Sequence, residues 1–157
     1  FEINSLFNLE IIRIGTNCFR GSNGICRITN CPNLTQLEIG DGSFWDFKSF
    51  ELSNVNSLQS INFGEYCFKY VREFVIDGLE SLESVQIGRD SFRIDYVERD
   101  DGICRITNCP NLRQLEIGDY SFRDFKSFEL SNVNSIQSIK FGSQNFKYAR
   151  ELSLKGN

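Results

Sequence analysis

Apolar residues recur along this chain as a phrase, apolar-x-x-apolar-x-apolar-Gly-x-x-x-Phe, of which Leu58–Phe68 is one copy. It occurs six times, starting at Leu9, Leu34, Leu58, Leu82, Leu112 and Ile136. The alternation in Ile61-Asn62-Phe63 has the period of a strand with one buried face, so Asn62 should point away from the core. A second apolar-x-apolar step, as in Phe50-Glu51-Leu52, predicts another short strand roughly half a coil away, on the opposite wall. No stretch has the spacing or the start and stop signals of a helix, so helix should be sparse.

Counted from that second step, coils start at Phe1, Cys26, Phe50, Phe74, Cys104, Phe128 and Leu152, mostly 24 residues apart. Short self-similar units of this kind stack into a solenoid. The expectation is one repeat array over residues 1–157, six coils and the start of a seventh, belonging to a longer array. Three columns stand out. Ser5, Asn30, Asn54, Gly78, Asn108 and Asn132 are residue types that tolerate a left-handed backbone or hydrogen-bond locally, which places a turn there. Gly15, Gly40, Gly64, Gly88, Gly118 and Gly142 follow the strand, where either a side chain would clash or the backbone needs an angle only Gly reaches cheaply. Phe19, Phe44, Phe68, Phe92, Phe122 and Phe146 form an aromatic column, better explained as a stacked core than as a ligand cage.

The string apolar-x-x-apolar-x-apolar-x-x-x-x-Phe at this period resembles the leucine-rich repeat, with Phe in place of the last Leu. Ile-Gly-x-x-Ser-Phe at 87–92 and 117–122 is similar to the step of the BspA-like subclass found in bacterial and protist surface proteins. The resemblance covers the whole chain. It implies a leucine-rich-repeat solenoid of the horseshoe class, mostly parallel β with two short strands per coil, used for binding rather than catalysis.

Composition narrows the function classes. With 17 basic and 21 acidic side chains the net charge is −4, which disfavours a protein that binds nucleic acid by neutralising phosphates. No apolar run approaches the roughly 20 residues that cross a bilayer, so no membrane insertion is expected. There is no His, which removes His-based triads and acid–base chemistry, and each Gly of the column has a structural place, which leaves no phosphate loop. A non-enzymatic protein without cofactor or metal is the expectation. The six Cys residues fall in apolar or small-residue columns and are read as buried free thiols, which points to an intracellular home, whereas the resemblance points to a cell surface. One junction, 93–102, is six residues longer than usual and carries Asp95, Glu98, Asp100 and Asp101; their spacing is not that of a calcium loop, and a solvated acidic loop explains them.

Segments 25–64 and 103–142 are near-identical, with 35 of 40 positions the same. The five changes are Thr35/Arg113, Gly42/Tyr120, Trp45/Arg123, Leu58/Ile136 and Asn62/Lys140. One is an interior swap of equal size; four fall at outward strand positions or in the turn just after, while polar residues elsewhere in the unit are unchanged. That distribution suggests a surface varied to fit a protein or peptide partner. Candidate contacts are Thr35, Glu38, Trp45, Asn62, Tyr66 and Gln86, and further along Arg113, Glu116, Tyr120, Arg123 and Lys140. Two rival roles are a structural rod with contacts through uncapped end coils, and a surface adhesin for protein or glycan.

Overall fold

The computed structural model describes residues 1–94 and 102–156. It is a parallel β-solenoid of about six coils with thirteen strands and no helix among the described residues. Numbered in chain order, the even strands β2 (Ile11–Ile14), β4 (Gln36–Ile39), β6 (Ser60–Phe63), β8 (Ser84–Ile87), β10 (Gln114–Ile117) and β12 (Ser138–Phe141) form one continuous sheet. The odd strands make the opposite wall as two sheets. One holds β1 (Glu2–Asn4), β3 (Ile25–Thr29) and β5 (Ser49–Ser53); the other holds β7 (Glu73–Asp77), β9 (Ile103–Thr107), β11 (Ser127–Ser131) and β13 (Glu151–Lys155). The two walls and their period-2 alternation are those the sequence predicts. The division between β5 and β7 is not visible in the pattern, because both strands carry the same apolar-x-apolar step.

Inward positions of the six-stranded sheet stack as Leu37, Ile61, Val85 and Leu115, with Ile39, Phe63, Ile87 and Ile117 beside them, all buried. They face Phe50, Phe74, Cys104 and Phe128 of the opposite wall. The aromatic column runs between the walls. Successive rings lie 5.1, 5.0, 5.4, 4.8 and 5.4 Å apart with interplanar angles no greater than 20°. Phe44 to Phe146 are buried; Phe19, in the first coil, has no coil beneath it and is 47% exposed. Every Phe of the column has φ between 50° and 57°. For a bulky residue that left-handed backbone is costly, and nothing in the sequence hints at it.

The glycine column is explained by space, not by angle. A Cβ on Gly40 would lie 2.6 Å from the carbonyl carbon of Gly15, and one on Gly118 would lie 2.6 Å from the Arg89 backbone nitrogen. Each coil's backbone rests on that of the coil before it. Gly15, again in the first coil, meets nothing.

The turn column at Asn30, Asn54, Asn108 and Asn132 is left-handed as expected, with φ of 53–55°. It also does something the sequence pattern does not reveal. Asn54 donates through its side-chain amide to Asn30 Oδ1 at 2.8 Å, and Asn30 to Asn4 Oδ1 at 2.9 Å. Asn132 donates to Asn108 Oδ1 at 2.7 Å, and Asn108 to Asp77 Oδ1 at 2.8 Å. The ladder breaks at Gly78, at the same level as the division between β5 and β7. A second polar column precedes the Phe: Ser43, Ser91 and Ser121 donate to the carbonyls of Gly15, Gly64 and Gly88 one coil back, at 2.8, 3.1 and 2.7 Å. Cys67 Sγ does the same to Gly40 at 3.4 Å.

Two glycines should respond in opposite directions to substitution. Gly88→Ala forces a methyl into the Gly64 backbone and should lower stability by about 2–4 kcal/mol in urea denaturation. Gly78 has φ +70° and open space at its Cβ, so Gly78→Asn should bridge the interrupted ladder and raise stability by about 0.5–1 kcal/mol.

Asp77 gives a pH test. Hydrogen bonds from Thr107, then Asn108, hold its carboxyl below the usual 3.8. A depressed carboxylate contributes stability that is present above its unfolded value and lost as pH falls through the folded one. Asp77→Asn should therefore make the loss of stability below about pH 4 less steep than in the parent, as followed by thermal melts across that range.

Candidate functional site

The six-stranded sheet presents one outward row in strict register: Arg13, Glu38, Asn62, Gln86, Glu116 and Lys140. Glu38 is half-buried and the others are exposed. Beside it runs a second outward row, Gln36, Ser60, Ser84, Gln114 and Ser138. Strand spacing of about 4.8 Å sets the repeat along both rows. Charge lies at the row's ends, where Arg13 Nε meets Glu38 at 2.9 Å, and Glu116 lies beside Lys140 in register. Asn62 and Gln86 leave the middle neutral, with amides that offer both donors and acceptors. The trough over this middle, lined by Glu38, Ser60, Asn62, Ser84, Gln86 and Glu116, has a volume of about 170 Å³. That is below the roughly 300–1,000 Å³ of small-molecule clefts, so the face suits an extended partner.

The structure divides the residues nominated from the sequence. Glu38, Asn62, Gln86, Glu116 and Lys140 share the row. Thr35 and Arg113 stand one residue before their strands; Thr35 Oγ1 donates to the Glu10 carbonyl at 3.0 Å, and Arg113 is exposed. Trp45, Tyr66, Tyr120 and Arg123 belong elsewhere, on the turns beyond the glycine column, and all four are half-buried. Trp45 and Tyr66 rings are 6.0 Å apart. Arg93 lies 6.0 Å from the Tyr120 ring, and Arg123 lies 5.6 Å from that of Tyr148. The single surface expected from the duplication is thus two: a strand face and a turn edge. Arg13 and the Ser/Gln row were missed, although counting back one coil from Glu38 would have found Arg13.

The thiols are free, and all but the half-exposed Cys18 are buried. Burial pushes the Cys26 and Cys67 thiols up to about 12, and raises Cys104 and Cys109 as well. Cys31 and Cys109 donate to the carbonyls of Thr29 and Thr107, at 3.3 and 3.2 Å. These groups are therefore not only apolar filling; Cys31, Cys67 and Cys109 also serve as weak donors. Among the described residues no cluster of three acidic or thiol groups could hold a metal, and no helix is long and apolar enough to cross a membrane. The acidic loop residues Asp95, Glu98, Asp100 and Asp101 lie outside the described residues.

Comparisons with protein-family models, with curated proteins and with solved structures find no match. The fold and its surfaces are the ground on which function is argued.

Thiol reactivity depends on the thiolate and on access. At pH 8 a disulfide-exchange reagent should titrate Cys18 in the native protein, and the remaining five thiols only after denaturation. Prompt reaction of a second thiol would show a coil less tightly closed than the packing requires.

Proposed function

We propose that this solenoid is a non-enzymatic recognition module of the leucine-rich-repeat kind, with units of the BspA-like type, binding a protein or peptide across the six-stranded face. The 24-residue period and the two-strand coil support the family reading. The observation that carries the functional reading is the outward row from Arg13 to Lys140, unbroken over six strands while the opposite wall is divided. The duplicated segment supports it: Asn62 and Lys140 occupy this row, Thr35 and Arg113 flank it, and the Asn ladder and, apart from the Leu58/Ile136 swap, the core columns are the same in both copies. Variation at outward positions over a constant frame is how a binding surface diversifies without loss of fold.

A second reading is a structural rod extended by stacked coils. It is favoured by the stacking itself, in which each coil's backbone rests on that of the coil before it. Sedimentation over a range of concentrations separates the two, since a rod built this way grows as concentration rises.

Thr35→Arg with Asn62→Lys, the residues of the second copy, should leave stability within about 0.5 kcal/mol per site. Affinity for a partner recovered on the native protein should nevertheless fall, as read by titration calorimetry. An unchanged affinity, with loss instead on substituting Trp45 or Arg123, would move the site to the turn edge.

A further inference from the structure

Three kinds of tie join the coils along the wall of odd strands, and all three stop between the third coil, which holds β5 and β6, and the fourth, which holds β7 and β8. Strand pairing runs from β1 to β5 and from β7 to β13, but no ladder joins β5 to β7. On the outward side of these strands Arg27 pairs with Glu51 at 2.7 Å and Arg105 with Glu129 at 3.0 Å, while the same row holds Val75 in the fourth coil. The Asn ladder runs from Asn4 to Asn54 and begins again at Asp77, because Gly78 stands where a donor to Asn54 would be.

At the same level the opposite wall is tied throughout. β6 and β8 pair in register from Ser60 and Ser84 to Phe63 and Ile87. Glu83 and Gly88 extend that ladder, donating to the Gln59 and Phe63 carbonyls at 2.8 Å. Across the β5–β7 seam it is side chains that meet, with the Phe50 and Phe74 rings 5.9 Å apart. Apolar contact has no fixed direction, so it tolerates a rotation that a ladder would resist. Backbone amides mark the open side. Arg27 donates back to Phe1 and Asn30 forward to Ser53, while Ile103 donates back to Arg72 and Gly78 forward to Thr107. Alternate amides of these strands therefore face alternate neighbours. By register, Val75 and Asp77 face β5, and Phe50 and Leu52 face β7.

We propose that the level between the third and fourth coils is a hinge, about which two rigid half-solenoids bend with the β6–β8 ladder as pivot. Local opening is drawn from places where few backbone hydrogen bonds cross, and here one wall has none to break while the other has a full ladder. Bending lengthens the odd wall at the β5–β7 seam and keeps Asn62 and Gln86, on the pivot, at their spacing. It changes the angle between the part of the strand face that carries Arg13 and Glu38 and the part that carries Glu116 and Lys140. The motion belongs to the stack of coils and is independent of what the strand face binds.

Hydrogen exchange on the unmodified protein reads the seam directly. The amides of Leu52, Val75 and Asp77 should exchange at least about tenfold faster than those of their register equivalents Ile28, Arg105 and Thr107. Spin-label distances then separate a hinge from fraying of two strands. In a Cys18→Ser background, which removes the half-exposed thiol, Ile25→Cys with Ser127→Cys labels the odd wall, and Gln36→Cys with Ser138→Cys labels the six-stranded one. Each pair spans four coil steps, about 19 Å at strand spacing, and both cross the seam level. The odd-wall pair should give the broader distance distribution. Gly78→Asn, which offers Asn54 a side-chain donor, should narrow it. Equal exchange of seam and ladder amides, equal breadth on the two walls, or greater breadth on the six-stranded wall would each overturn the hinge. Should Gly78→Asn or a labelled variant fail to fold by circular dichroism, exchange in the parent protein still decides.

Discussion

At the glycine column backbone packs on backbone with no room for a Cβ, and the rest of the structure is set by that contact. With no Cβ at Gly40, Gly88 or Gly118, successive coils settle to strand spacing at that corner. Once they do, every other column must repeat at the same interval. The aromatic rings can then stack at 4.8–5.4 Å, and the Asn amides reach one another at 2.7–2.9 Å. The left-handed backbone at each Phe follows from the same geometry. A left-handed residue with a Cβ costs roughly 1–2 kcal/mol, whereas losing a buried aromatic costs about 3–5 kcal/mol. Burial of the ring outweighs the strain at its backbone, which is how one unfavourable angle persists through six coils.

Polar columns hold the turns, where no strand ladder exists. A backbone carbonyl facing the next coil there needs a donor, and the residue before the Phe supplies it. Ser, Cys and Asn all appear at that position because each has a donor on a short side chain; Val or Ala would fill the volume and leave the Gly carbonyl unpaired at a cost of about 1–3 kcal/mol. This view changes the meaning of the cysteines. Cys67 stands where the neighbouring coil has Ser91 and donates to the same kind of acceptor, so it takes the place of a hydroxyl. Cys26 and Cys104 stand where other coils have Phe, and there the thiol is an apolar substitute.

Both walls, the core columns and the place of the turns were legible in the sequence, because strand alternation and a fixed period need nothing more than the order of apolar residues. Asn62 faces outward and Leu37 inward for that reason alone. What was illegible depended on hydrogen bonds between coils. The Asn ladder joins residues such as Asn54 and Asn30, 24 apart in sequence, and a column of Asn reads as a column of turns until the spacing between coils is known. The division between β5 and β7 has no mark in the pattern, although Gly78 interrupts the ladder at that level. Among the nominated contacts, register alone sufficed for Glu38, Asn62, Gln86, Glu116 and Lys140. Trp45, Tyr66, Tyr120 and Arg123 were assigned to the same surface because they vary with it or follow the strand closely, yet the glycine corner turns the chain before they are reached.

That corner also separates two kinds of electrostatics. In a globule, side chains from distant segments mix on the surface, and net charge is a fair first guide to what a protein attracts. In a solenoid each column is a straight line of residues a few ångströms apart, so a preference repeated once per coil becomes a charged edge however small the total. Here the strand face has neutral amides with the Arg13–Glu38 ion pair at one end and Glu116 beside Lys140 at the other, while nine of the 17 Lys and Arg stand at the first and fourth positions after a column Phe in a chain that is acidic overall. Like charges a coil apart repel, and placing Trp45, Tyr70 and Tyr148 among them gives several of those cations a ring to rest against. Trp45, nominated in the sequence as a partner contact, thus also holds two of these cations, Arg20 and Lys69.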